Sequence, residues 1–204
     1  EARALGGDPS KAIVIPNGIS IEEFDAAFAT RRQKTGRIRA EGAGNHLWRL
    51  AYIARVVPIK GLMDLIESIR ILRERGRSIH LDVCGPTEHV PEYYERCRKR
   101  IAELGLEDTI TIRGTVKVRQ WLTEFDLFLL PSYNEGLPVV SLETMGAGIP
   151  TVSTDVGAVR TVVEDRIVGP DSRAWGPCGL VIAPGDPTIM ADGVDRIIGD
   201  IDLY

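Results

Sequence analysis

The stretch Asp126 to Thr154, DLFLLPSYNEGLPVVSLETMGAGIPTVST, narrows the architectures open to this chain more than any other part of it. Its apolar runs Leu127 to Leu130 and Ile149 to Val152 are short, lack polar alternation and are punctuated by Pro131 and Pro150. Runs of that kind suit parallel strands buried on both faces of an α/β sheet. The residues between them read as a loop entering a helix. Pro138 suits the first helical turn, where a missing N–H costs nothing, so Glu135 stays in the loop and Glu143 falls on the helix. Two carboxylates thereby bracket a strand-to-helix junction, one at a cleft mouth and one pointing in from the helix.

Ligands of α/β folds bind in the crevice outside the carboxyl ends of the strands, and a helix N-terminus placed there offers free backbone N–H groups to an anion. Carboxylates repel phosphates but accept well from the vicinal hydroxyls of a ribose or a hexose. Phosphates at the helix end and sugars at the two glutamates describe a nucleotide-sugar site. Alone, the two glutamates also read as a loop charge and a solvated helix residue. Their neighbours decide between the readings.

EGLPVVSLE followed by MGAGIPTVSTDVG resembles the signature of the retaining family-4 glycosyltransferases, in the C-terminal, donor-binding domain of their GT-B fold. The resemblance extends over VIPNGIS with Phe24, ARVVPIKG at 54–61, the CGP turn at 84–86 and LGLEDTITIRG at 104–114. Within the family, ARVVPIKG, GPTEHVPEYYERC and STDVGAVR are most similar to the PelF-type enzymes of exopolysaccharide synthesis.

The resemblance implies a hexose moved from a nucleoside diphosphate, UDP by expectation, to a saccharide acceptor held on an N-terminal domain absent from this chain. The 204 residues alone are then expected to be inactive. Arg55 and Lys60 match positions that contact the diphosphate. A fixed guanidinium and ammonium there stabilise the charge that builds on the leaving β-phosphate, so neither a metal nor a cofactor is expected. Glu143 is expected to hold the ribose and Glu135 the hexose, with Gly136, Leu137, Pro138 and Val139 around the helix start. Arg55, Lys60 and Glu135 form the expected catalytic set. Gly85 is expected to let backbone approach the ligand closely. Val116, within Thr115 to Val118, is expected to line the base pocket through backbone atoms. Ala54 stands where the family usually has Gly, and its methyl is expected to crowd the phosphates. Two alternatives stay open: a nucleotide-sugar-binding module without turnover, and a sugar-nucleotide epimerase or phosphorylase on the same fold. A pyridoxal-dependent phosphorylase needs a lysine beside the phosphates, and the only candidate, Lys60, already has its role in the diphosphate contact that the resemblance implies.

At 204 residues the chain is long enough for one domain with a substantial core. A net charge of −4 provides no general attraction to nucleic acid or anionic lipid, so any anion site must be local. Cys84, Cys97 and Cys178 lack C-x-x-C spacing, which argues for a reducing, cytoplasmic setting and against disulfides or a zinc site. His46, His80 and His89 lack metal-ligand spacing, and His89 reads as an exposed loop histidine. No apolar run approaches the ~18 residues of a membrane span, and no basic-then-apolar segment of the kind a secretory signal has is read in the first residues given.

The remaining pattern alternates strand and helix. Strands are expected over Lys11 to Ile15, Leu47 to Ile53, Ile79 to Val83, Thr109 to Ile112 and Gly179 to Ala183. Helices are expected from Leu62 through Leu72, Glu92 to Leu104, through Trp121 and Phe125, from Asp155 to near Glu164, and Pro187 to Gly199. Thr30 to Gly44, rich in Arg, Lys and Gly without apolar periodicity, reads as an exposed loop, Asp165 to Gly176 as a polar insertion and Asp200 to Tyr204 as a tail. The expected fold is one Rossmann-like α/β/α domain over 1–204 with a parallel sheet of about six strands.

Overall fold

The computed structural model describes residues 17–41, 46–164, 167–168, 174–175 and 177–200. The strand expected over Lys11 to Ile15, most of the insertion expected over Asp165 to Gly176 and residues 201–204 lie outside them. In chain order the strands are β1 (Trp48–Ile53), β2 (Ile79–Cys84), β3 (Ile110–Gly114), β4 (Leu127–Leu130), β5 (Thr151–Thr154), β6 (Ile167–Val168), β7 (Ala174–Trp175) and β8 (Gly179–Ile182). Six of them form one parallel sheet in the order β3-β2-β1-β4-β5-β8, while β6 and β7 make a separate antiparallel pair.

The chain enters the sheet at β1, steps outward through β2 and β3, then returns to lay β4 on the other flank of β1. The strand order therefore reverses between β1 and β4, and ligands of such sheets bind in a crevice outside the carboxyl ends of the strands near that switch point. Side chains alternate along each strand. Leu50 and Tyr52 join the core under α2 (Leu62–Glu74), α3 (Pro91–Glu103) and α6 (Pro187–Gly199). Ala51 and Ile53 join a second core on the other face with Phe128, Ile149 and residues of α5 (Val159–Val163). The helix α4 (Val139–Gly146) connects β4 to β5.

Thr30 to Glu41, the described part of the loop expected over Thr30 to Gly44, is helical instead. Residues Asp25–Glu41 form a helix of 17 residues, α1. Its inward positions Ala27, Arg31, Lys34 and Ile38 continue at helical spacing from Phe24 just before it, but charged side chains occupy the middle of the stripe. Arg31 is 2% exposed and pairs with the buried Asp126 at 2.9 Å. An apolar-periodicity argument is blind to a helix docked through an ion pair.

Three smaller expectations shift. Trp121 to Phe125 is not a helix: a 3-10 turn at Val118–Gln120 is followed by turns, with Arg113 lying 4.6 Å over the Trp121 ring. Pro138 is the cap residue of α4 and not in its first turn, because its ψ of 116° is extended. Asp155 to Ala158 forms a turn, and the helix begins only at Val159.

Candidate functional site

The loop after β1 is the cation-bearing wall of the crevice. Ala54 and Val56 donate their amides to Cys84 O and Pro86 O, which fastens this loop to the turn after β2. Ile53, Arg55, Cys84, Gly85, Val116 and Val118 line a cleft of about 180 Å³ at the carboxyl ends of β1, β2 and β3. Arg55, Gly85 and Val116, chosen from sequence, thus share one concavity. Arg55 is exposed, and among the described residues its guanidinium has no ion-pair partner.

The close approach at Gly85 is made by the protein itself. A Cβ there would lie 2.0 Å from Ala54 O, so this glycine is required by the β1 loop. The Ala54 side chain is half-buried against the core under α2, although the residue also borders the cleft. Burial pushes the Cys84 thiol up to about 11, so it stays protonated at neutral pH and is a poor nucleophile. His89 is exposed in its loop.

The loop after β4 is the acidic wall. Glu135 lies in it, as expected, and its Oε1 accepts from Lys60 Nζ at 2.6 Å and from Ser132 Oγ at 2.7 Å. The pair is mostly withdrawn from solvent, with the Lys60 side chain 16% and the Glu135 side chain 9% exposed. Lys60 and Glu135 are therefore brought together where the loops after β1 and β4 meet, beside but not within the cleft lined by Arg55. The two loops are also joined through backbone, Tyr133 N donating to Ile59 O at 2.8 Å, and through the Tyr133 hydroxyl on Asp64 of α2.

Behind the acidic wall stands the turn after β5. Ala158 N donates to Gly136 O at 2.9 Å, and Thr154 Oγ1 donates to Ser132 O. Gly157, at φ 57°, is pressed so closely on the loop that a Cβ would lie 2.1 Å from Glu135 O and 2.5 Å from Gly136 O. Leu137 O accepts from the Asn17 side chain at 3.0 Å, and Val139 is exposed at the helix start. Pro138 supplies no capping side chain; the Ser141 amide donates to Pro138 O at 3.1 Å, which leaves the amides of Val139 and Val140 at the helix start for solvent or ligand. Glu143 points from α4 toward Arg119, 3.7 Å away, whose guanidinium also lies 5.2 Å over the Phe24 ring.

Sequence reasoning placed both glutamates and both cations but passed over Ser132, Tyr133, Asp64 and Arg119. A small polar residue directly after a buried strand end was the available signal for Ser132. Arg119 carried none, because its relation to Glu143 depends on the 3-10 turn after β3. Larger concavities lie elsewhere: a 480 Å³ groove beside α3 and β3, and a 620 Å³ depression including Ile21, Phe28 and Met145. Neither joins the carboxyl edge where Lys60 and Glu135 meet.

A family model described as "Glycosyl transferases group 1" matches residues 48–200. The chain is 23% identical over 201 residues to the D-inositol 3-phosphate glycosyltransferase of Paenarthrobacter aurescens, covering 96% of this chain and 45% of that protein. It spans less than half the length of the curated relatives it matches. Anabaena HepE, solved in complex with UDP-glucose, superposes with a TM-score of 0.75 at 22% identity, covering 98% of this chain and 51% of that one. The separately solved C-terminal domain of a glycosyl transferase group 1 family protein from Francisella tularensis superposes with a TM-score of 0.67 at 18% identity, over 91% and 90% of the two chains.

Proposed function

The chain belongs to the glycosyl transferases group 1 family, and from that premise we propose that it is the donor-binding domain of a retaining glycosyltransferase that moves a hexose from a UDP-sugar to a saccharide acceptor in polysaccharide synthesis. One observation carries the reading: Lys60 and Glu135 meet at 2.6 Å at the carboxyl edge of the sheet, between the loops that follow β1 and β4, with the start of α4 four residues on from Glu135. A cation suited to phosphate and a carboxylate suited to sugar hydroxyls thus stand together at the edge where this fold binds ligands.

In this reading the diphosphate lies between Arg55, Lys60 and the N-terminus of α4, where positive charge and free N–H groups offset the negative charge growing on the leaving phosphate. Glu135 and Glu143 accept from hexose and ribose hydroxyls, Gly136 to Val139 shape the bed between them, and the base rests near Gly85 and Val116. No metal is needed to hold the diphosphate. The acceptor site belongs to a second domain, and closure of the two halves excludes water and brings the acceptor hydroxyl to the face from which the phosphate leaves. Holding both reactants can supply ~7–11 kcal/mol of the barrier, so the 204-residue chain by itself is expected to transfer no sugar.

Titration of UDP in the presence of a chelator tests the site. Arg55→Ala should weaken binding by about tenfold, the usual worth of a charge-assisted hydrogen bond. Lys60→Ala should weaken it by about tenfold or more, because it removes the other cation of the diphosphate bed. An absolute Mg²⁺ requirement, or unchanged affinity in both variants, contradicts the proposal.

The two glutamates should separate. Glu143→Gln is expected to weaken UDP and UDP-sugar alike by roughly tenfold, whereas Glu135→Gln should act on the sugar-bearing ligand alone. Equal losses of both ligands in both variants would refute this division.

A further inference from the structure

We propose that Ser132 is a positioning residue whose buried hydroxyl keeps Glu135 turned toward the sugar when Lys60 is drawn away to the diphosphate. The inference rests on the donor-site reading above. Ser132 follows Pro131 at the carboxyl end of β4 and is 0% exposed. Its hydroxyl donates to Glu135 Oε1 at 2.7 Å, the same oxygen that takes the Lys60 ammonium at 2.6 Å. Among the described residues, Oε2 of that carboxylate is left for another donor.

The two donors differ in how firmly they are held. Lys60 carries its charge on a flexible four-carbon stem with three donors, so a diphosphate, with more charge than one carboxylate, can reorient it. Ser132 cannot follow. Its carbonyl accepts from Thr154 Oγ1, a side chain that is itself buried, and the next residue, Tyr133, is tied by its amide to Ile59 O at 2.8 Å. A one-carbon side chain on so fixed a backbone keeps its hydroxyl in place whether or not the ammonium moves. If Lys60 alone held Glu135, phosphate binding would release the carboxylate at the moment the sugar arrives. With Ser132 on the same oxygen, the carboxylate loses its counter-charge but not its orientation, and Oε2 stays directed to a sugar hydroxyl.

The test has two arms. The first needs no ligand: crystal structures of Lys60→Met should show Glu135 still on Ser132, and those of Lys60→Met with Ser132→Ala should show it displaced. Displacement in Lys60→Met alone overturns the proposal. The second arm measures UDP and UDP-glucose affinities by calorimetry. Ser132→Ala should leave UDP unchanged and lower the gain from adding glucose by about tenfold, with Ser132→Cys, a weak donor of similar shape, intermediate. In a Glu135→Ala background Ser132→Ala should have no further effect, since a residue acting through another is silent without it. An equal loss for both ligands, or a full loss in the Glu135→Ala background, identifies a merely structural serine and overturns the proposal. Wild-type protein that binds neither UDP nor UDP-glucose would refute the donor-site reading, while the first arm still decides whether Ser132 or Lys60 fixes Glu135.

Discussion

Asp126→Ala is expected to destabilise the fold by about 3–5 kcal/mol, the range for stranding the partner of a buried charge. The carboxylate is fully buried at the amino end of β4, with Arg31 at 2.9 Å, Lys34 at 2.8 Å and His46 at 3.0 Å, and it accepts the Arg49 amide at 2.9 Å. Without it, the guanidinium of Arg31, 2% exposed, stays in the interior with no counter-charge, and α1 loses what fastens it to the sheet. Against a typical total of ~5–15 kcal/mol this is a large fraction. Urea unfolding should show a lower midpoint for Asp126→Ala. Joining Asp126→Leu to Arg31→Met should recover much of the loss, since apolar pairs often replace buried ion pairs at little cost. An unchanged midpoint in the single variant contradicts the argument.

The same cluster sets an acid dependence. Burial pushes the Asp126 carboxyl up, but hydrogen bonds from Lys34, the Arg49 amide and His46, together with the Lys34 charge, outweigh burial and hold it below the ordinary aspartate range. A depressed carboxyl contributes its stability in full above the unfolded value of about 4 and loses it as pH falls from there toward the folded value. Asp126→Ala should therefore flatten the acid limb of the stability curve. A variant as acid-sensitive as the wild type would contradict this.

The sheet was legible because its signal is the one that parallel strands must carry. Leu127 to Leu130 is β4 itself and is buried throughout, and a chain that buries both faces of a strand has to be apolar or small there. The strand read over Ile149 to Val152, in contrast, lies two residues later, at Thr151–Thr154, where small polar side chains hide the signal. Helix α6, with its proline at the start, appeared over the residues read for it, Pro187–Gly199. Helix α1 was missed because its inward stripe is held by Arg31 and Lys34, and the meaning of those charges lies 95 residues away at Asp126. The site divides in the same way. Glu135, Glu143, Arg55 and Lys60 could be read from residue type and position relative to strand ends. Their arrangement could not, because the contacts of Lys60 with Glu135 and of Arg119 with Glu143 join segments that only the strand order brings together.

On the proposed donor-site reading, Gly157→Ala should abolish most sugar transfer by a glycosyltransferase that carries this domain while leaving the fold intact. Two effects fall on this residue. A left-handed backbone at φ 57° costs a non-glycine residue ~1–2 kcal/mol, which lowers Tm by only about 2–4 °C per kcal/mol in a domain of this size. The contact is the larger effect. The new Cβ would lie 2.1 Å from Glu135 O and 2.5 Å from Gly136 O, both backbone atoms that no rotamer change can move aside. The loop carrying Glu135 must retreat, and a shift of ~1 Å at a reacting group can cost on the order of 10²-fold in rate. Two companions separate contact from strain. Gly76, at φ 76°, has nothing within 4 Å of a Cβ, so Gly76→Ala should lower stability to a similar degree without touching transfer. Asn tolerates the left-handed region but keeps the Cβ, so Gly157→Asn should be nearly as inactive as Gly157→Ala. Recovery of transfer in Gly157→Asn would assign the defect to backbone strain, and normal transfer in Gly157→Ala would show that the loop behind Glu135 yields without consequence.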